Sequence, residues 1–281
     1  MTSSPDSRSL APPPDDATLI RLATTMRRWI IEQSLAANVG HVGSALSIID
    51  AMTVLFEAVM RHPGSDLPDR DRFILGKGHA ALALYCALRA RGIVSEEQFA
   101  TYCGNGSLLG VHPEAFLAGV DVSTGSLGQS LSIGCGLAFG LRQRGLGSRV
   151  YVLLSDAECN EGQTWEAAMF AAHHKLGNLT AIVDLNGLQA MGRTDDVLAM
   201  SNMSGRWESF GWNAVDIDGH EIGALRTALD PSLARERPRM VVMHTLMGKG
   251  VSFMENRLEW HYRNLTPELA EQALAELGIT G

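Results

Sequence analysis

The stretch RVYVLLSDAECNEGQTWEAAMFAAHHKLGNLTAIVDLN, residues 149–186, decides the fold. RVYVLLS (149–155) reads as a strand buried on both faces, EGQTWEAAMFAAHHKL (161–176) as a helix, and NLTAIVDLN (178–186) as a second buried strand. Strand, crossover helix and strand in that order make the unit of a parallel sheet. On the N-terminal side, Leu19, Leu22, Met26, Ile30 and Leu35 recur at helical spacing over 18–37. A second helix is expected from about 45 to 60, then a short apolar strand, 73–75, that turns at GKG into a third helix near His79. On the C-terminal side, strands are expected at 213–217 and 239–244, a helix near 222–229 between them, and a last helix at 266–277. Together these predict an α/β fold, an open, doubly wound, mostly parallel sheet with helices on both faces, in one domain spanning 18–281.

At 281 residues and 46% hydrophobic content the chain can bury a full core. Residues 1–17 are rich in Ser, Pro and Asp and carry no apolar run, so they are expected as a disordered tail and not a signal peptide. A net charge of −8 without any Lys/Arg run argues against nucleic acid or an anionic membrane as partner. No segment reads as the roughly 20 consecutive apolar residues of a membrane span. Cys86, Cys103, Cys135 and Cys159 form neither a C-x-x-C pair nor a zinc spacing, which points to a reducing cytoplasm.

Ligands of open parallel sheets collect at the carboxyl ends of the strands. SDAECNEG follows the first strand and DLNGLQAMG closes the second, so Asp156 and Asn186 end successive strands of one sheet and could face each other. A carboxylate, an amide oxygen, a loop carbonyl such as that of Leu188 and phosphate oxygens would suit magnesium or calcium. An Asp capping the next helix and an Asn in a turn would look the same, and the two residues alone do not choose. His41, His79 and His112 each sit beside Gly or Pro in irregular segments, where backbone can approach a ligand. An imidazole with a pKa near neutrality could bind an anion there or move a proton. His62, His173, His174 and His220 read as surface residues. GCGLAFG (134–140) lies within a helical stretch with G-x-G-x-x-x-G spacing, so its glycines suggest close helix packing rather than dinucleotide binding. The GKG segments at Lys77 and Lys249 lack P-loop spacing.

NEGQTWEAAMFAAHHKLGNL (160–179) with IVDLNGLQ (182–189) resembles the thiamine diphosphate signature of the transketolase family. AANVGHVGSALSIIDA (36–51), LGKGHAALALYCAL (75–88), GVHPE (110–114), STGSLGQSLSIGCGLAFG (123–140) and HTLMGKGVSFMENRLEWH (244–261) are similar to that family's motifs in the same order. The resemblance implies the thiamine diphosphate-binding fold and the cofactors thiamine diphosphate and Mg2+ or Ca2+. It implies metal binding by Asp156, Asn186 and the carbonyl of Leu188. Diphosphate contacts would come from His79 and His261, and Gly125 and Leu127 would line the cofactor cleft with Ala157 and Glu158. His41, His112 and His261 would face the sugar, and Glu161 would join a carboxylate network at a subunit interface.

The family's pyrimidine-binding and C-terminal domains do not follow here. The resemblance therefore implies an N-terminal subunit of a split transketolase, inactive without a separate C-terminal subunit that carries the pyrimidine-binding domain, in an α2β2 heterotetramer. Such an enzyme moves a two-carbon ketol unit between sugar phosphates. Several positions depart from the family: SDA (155–157) for GDG, GHVG (40–43) for GHPG, GSLGQS (125–130) for GPLGQG and WHYRN (260–264) for WHG. These changes leave two alternatives, transfer of the unit to a carrier-bound group, or a non-catalytic regulatory homologue.

Overall fold

The computed structural model describes residues 13–233 and 236–278. Helix α1 (Asp16–Ala37) is capped by the Asp15 carboxylate, which accepts the Thr18 N–H at 2.8 Å. It begins inside the segment expected as a tail, because Asp15 supplies the cap; residues 1–12 lie outside the described residues. Helix α2 (Val42–Val54) starts three residues before the expected 45 and continues as one π-helical turn, Leu55–Val59. Gly43 reads as loop, yet it is helical: a Cβ there would lie 3.0 Å from Met247 Cγ and 3.1 Å from the Trp260 carbonyl, so the close docking of the helix favours glycine.

The 18 residues Val42–Val59 are long and apolar enough to cross a membrane, which corrects the expectation that no segment is. Since 89% of that window is buried inside the fold, it is the central core helix.

The chain continues through β1 (Arg72–Leu75), a 3-10 turn (Gly78–Ala80), α3 (Ala81–Ala90) and the short α4 (Glu96–Phe99). A long irregular segment precedes α5 (Ser130–Gln143). Then come β2 (Val150–Ser155), a 3-10 turn (Ala157–Asn160), α6 (Gly162–His173) and β3 (Leu179–Leu185). A two-residue hairpin, β4 (Leu188–Gln189) with β5 (Gly192–Arg193), and helices α7 (Thr194–Val197) and α8 (Met203–Ser209) are too short to show a sequence period. Last are β6 (Asn213–Asp218), α9 (Ile222–Leu229), β7 (Arg239–His244), a 3-10 turn (Leu258–His261) and α10 (Pro267–Glu276).

The main sheet has the order β1-β2-β3-β7-β6, and every neighbouring pair is parallel. Strand alternation divides the core between its faces. Tyr151, Leu153, Ile182, Val241 and Met243 pack with residues of α1, α2, α3, α9 and α10. Val150, Val152, Leu154, Ala181, Val183, Met240 and Val242 pack with α5, α6 and α8. Both faces are covered over β2, β3 and β7, which is why these strands carry no polar alternation, whereas the edge strand β6 exposes Asn213, Asp216 and Asp218.

The packing reading of GCGLAFG holds at Gly134, where a Cβ would come within 2.5 Å of Val152 Cγ2; Gly136 and Gly140 face open space. Gly134→Ala is expected to destabilise the fold by about 1–3 kcal/mol through overpacking, while Gly136→Ala raises helix stability; chemical denaturation of the two variants checks the contrast.

His220 is not a surface residue. Its Nδ1 donates to Asp50 Oδ2 at 2.9 Å and its Nε2 accepts the Leu246 N–H at 2.9 Å, with 11% of the side chain exposed. Arg27 meets the same Asp50 oxygen at 2.5 Å, so the buried carboxylate is what draws His220 inward. His173 is exposed, and His62 and His174 are half-buried.

Candidate active site

Three strand ends and one helix start meet at a cleft of about 270 Å³. The end of β1 leads into Lys77 and His79, β2 ends before Asp156, and β3 ends before Asn186, with the hairpin adding Leu188 and Gln189. The N-terminus of α2 contributes His41 and Ser44, the long irregular segment contributes His112, Gly125 and Leu127, and the 3-10 turn before Tyr262 contributes His261. Because β2 and β3 pair with Ser155 opposite Asp184, Asp156 and Asn186 emerge side by side.

Asp156 is buried and held at both oxygens: Oδ1 accepts the Ala157 N–H at 2.8 Å, and Oδ2 accepts the Thr194 hydroxyl. Burial pushes its carboxyl up to about 6; the Thr194 bond offsets part of that, and the nearby Asp184 charge adds to it. Asn186 Oδ1 accepts the Leu188 N–H at 3.0 Å, and its Nδ2 donates to Asp184 Oδ2 at 3.0 Å. Asp184 is wholly buried and also accepts from Lys77 Nζ at 2.5 Å, from Ser47 Oγ at 2.8 Å and from the Thr245 hydroxyl. Burial alone would raise the Asp184 carboxyl; the Lys77 charge and these hydrogen bonds outweigh it and hold the group below its usual range.

The rings of His41, His79 and His261 form a triangle with centroids 5.2–5.3 Å apart. Burial lowers the pKa of all three, with mutual repulsion and Lys77 adding to it; His261 is pushed down to about 4. At neutral pH they are neutral hydrogen-bonding groups, not the near-neutral titrating imidazoles that the sequence suggested. Among the described residues, Nδ1 of His41, Nδ1 of His261 and Nε2 of Gln189 are buried without a hydrogen-bond partner, as expected of atoms that await a ligand. His41 holds a left-handed backbone, φ 64°, at the cap of α2, a conformation that costs a non-glycine residue about 1 kcal/mol or more. Tyr262, 61% exposed, sets its ring 5.3 Å from that of His41 and 4.6 Å from that of His261 at the cleft's edge.

Gly125 has φ 151°, and a Cβ there would stand 3.1 Å from the His112 ring, so glycine keeps this wall open. Ala157 lines the cleft with ordinary right-handed backbone; its methyl group takes up room without strain.

Two of the expected residues lie outside the cleft. Glu158 is fully buried below it, accepting from Ser155 N–H at 2.9 Å, from Ser130 Oγ at 2.7 Å and from Gly128 N–H at 3.4 Å, and burial pushes its carboxyl up. It supports the loop rather than touching what the loop holds. Glu161 is exposed at the start of α6, beside Gly128. Gly76 is required by Glu158: a Cβ at 76 would lie 2.6 Å from Glu158 Oε1 and 2.4 Å from Ser130 Oγ. Lys77, Ser44, Gln189 and Tyr262 also line the cleft, and sequence reasoning missed them as site residues. The signal for Lys77 was an unusual lysine between two glycines directly after a buried strand.

Fold and cleft together define a cofactor-binding α/β domain with its site at the carboxyl ends of a parallel sheet. The profile of the family described as transketolase, thiamine diphosphate binding domain, matches residues 19–280, and the chain belongs to that family. It is 38% identical over 255 residues to one of the subunits of the apulose-4-phosphate transketolase of Phocaeicola vulgatus, covering 89% of this chain and 90% of that one. It is 36% identical over 265 residues to 6-deoxy-6-sulfo-D-fructose transketolase subunit SqwG of Clostridium sp. strain MSTE9, covering 92% and 96%. Human transketolase is 37% identical over 279 residues, but this chain spans 43% of its length. The transketolase structure from Campylobacter jejuni superposes with a TM-score of 0.87 at 26% identity, over 95% of this chain and 43% of that one.

Proposed function

We propose that this chain is the cofactor-holding subunit of a two-subunit transketolase that moves a two-carbon ketol unit from a ketose phosphate to an aldehyde acceptor. The observation that carries the reading is the cleft, where Asp156, Asn186 and Leu188 meet three neutral histidines, two of them with buried nitrogens that have no partner among the described residues. Relatives of the same length are named as transketolase subunits, which supports a separate partner chain.

The chemistry of the donor set fits a diphosphate held through a divalent cation. Asp156 is an anion, Lys77 is already paired with Asp184, and the lowered pKa values leave the histidines uncharged. A diphosphate therefore meets no free positive charge from these groups, and Mg2+ or Ca2+ on the oxygens of Asp156, Asn186 and Leu188 would supply it. Thiamine diphosphate, when bound, supplies the carbanion chemistry. His79 and His261 would donate to phosphate oxygens, and His41 and His112 would orient the sugar's hydroxyls at the cleft mouth. The four free cysteines support a reducing, cytoplasmic setting, and a heterotetramer of two subunits of each kind is the assembly proposed.

Co-expression with the product of the adjacent gene, followed by assay with thiamine diphosphate, Mg2+ and a panel of ketose phosphates, tests the reading; glycolaldehyde-unit transfer is expected, and its absence with every donor sinks it. Light scattering on the same complex gives the stoichiometry. Since the Asp156 carboxyl sits at about 6, protons compete with the cation below that pH. Metal affinity is expected to be constant above about pH 7 and to fall toward tenfold per pH unit below 6, measured by Mg2+ titration calorimetry.

A further inference from the structure

We propose that Asp184 decides which atom of the Asn186 amide faces the cleft, which makes it a positioning residue for the ion; the inference rests on the metal reading above. The two ends of an amide have nearly the same shape, and only their hydrogen bonds tell them apart. An ionised carboxylate can only accept, so the end of Asn186 that meets Asp184 Oδ2 at 3.0 Å is the NH2 group. The other end, which takes the Leu188 N–H at 3.0 Å, is then the oxygen. Turned over, the amide would set oxygen against carboxylate oxygen and NH2 against N–H, two repulsions in a buried place. The orientation matters because a hard divalent cation binds the oxygen and not the NH2.

Asp184 itself cannot turn away. Lys77, Ser47 and Thr245 fix its two oxygens from β1's end, α2 and the segment after β7. It is wholly buried and does not line the cleft, so it acts only through Asn186.

The test is Mn2+ binding to the full chain with thiamine diphosphate, followed by water proton relaxation. Asp184→Leu removes the acceptor and leaves the Leu188 N–H alone to orient the Asn186 amide, so Mn2+ affinity is expected to fall about 10–100-fold. Asp184→Asn keeps an acceptor: Lys77 Nζ and Ser47 Oγ donate to the same oxygen that the Asn186 NH2 meets, so the new amide sets its oxygen there and its NH2 toward the Thr245 hydroxyl, and it is expected to bind Mn2+ several-fold or more tighter than Asp184→Leu. A role for Asp184 as the counter-charge of Lys77 alone would weaken both variants alike, since both lose the charge.

Unchanged affinity in Asp184→Leu overturns the proposal, as does an Asp184→Asn variant that binds no more tightly than Asp184→Leu. If Asp184→Leu fails to fold by circular dichroism, Lys77→Met with Asp184→Leu, which leaves neither charge of the pair buried, is compared with Lys77→Met in its place, a fall in affinity supporting the proposal and equal affinity overturning it. A wild-type chain that binds no Mn2+ overturns the metal reading and this inference together, whereas failure in the variants alone leaves the metal reading standing.

Discussion

Asp156→Asn is expected to lower the two-carbon transfer rate of the reconstituted enzyme about a thousandfold or more while raising the melting temperature of the cofactor-free chain. The first effect follows from the ion. Loss of the only charged oxygen among Asp156, Asn186 and the Leu188 carbonyl weakens an interaction worth several kcal/mol, and about 4 kcal/mol corresponds to three powers of ten in rate. The second effect follows from burial. The Asp156 carboxyl stands at about 6 in the folded chain against an ordinary value of 3.8, so its ionised form is less favourable folded than unfolded. Between about pH 4 and 6 the folded chain holds a proton that the unfolded chain releases, so this group adds stability as the pH falls through that window. Asparagine removes the buried charge at every pH. Steady-state kinetics and calorimetric melting on the same variant check both signs; a variant that loses activity and also melts earlier would mean that Asp156 is chiefly a structural cap.

Lys77→Met is expected to cost more stability than the loss of any exposed ion pair. Lys77 and Asp184 are 1% and 0% exposed at their side chains. Methionine fills similar space but leaves the Asp184 carboxylate buried, with the hydroxyls of Ser47 and Thr245 and the Asn186 amide as its remaining side-chain donors among the described residues. Breaking a buried pair from one side costs about 3–5 kcal/mol, which for a domain of this size lowers the melting temperature by roughly 10 °C. Arg28 and Glu32, one helical turn apart and 49% and 41% exposed, make the comparison. Arg28→Ala should cost under about 0.5 kcal/mol. Thermal denaturation of the two variants side by side distinguishes a buried charge from a solvated one. Equal shifts would show that water reaches Asp184.

Much of the site was legible because it lies at strand ends. The apolar runs 149–155 and 178–186 locate β2 and β3, and parallel strands of one sheet put the residues after both on one edge, so Asp156 and Asn186 could face each other; the strand order then makes them neighbours. His41 and His79 were legible as histidines flanked by glycine. Their charge state was not, since it depends on three rings and Lys77 crowding one buried place. His220 was misread for the same reason: nothing in its neighbourhood along the chain announces Asp50, 170 residues away. The early start of α2 was hidden because Gly43 signals a turn by type, while its reason is close contact with Met247 and Trp260.

The sequence by itself determined the α/β class, the parallel pairing at the centre and the two metal-ligand candidates, because periodicity and strand-end position are local properties of a chain. The tertiary structure alone decided that Lys77 is bound to Asp184 across 107 residues, that Thr194 reaches Asp156 across 38, and that Glu158 supports the loop from below instead of facing the cleft. Those outcomes turn on burial and on distances between remote segments. Only the assembled fold sets both.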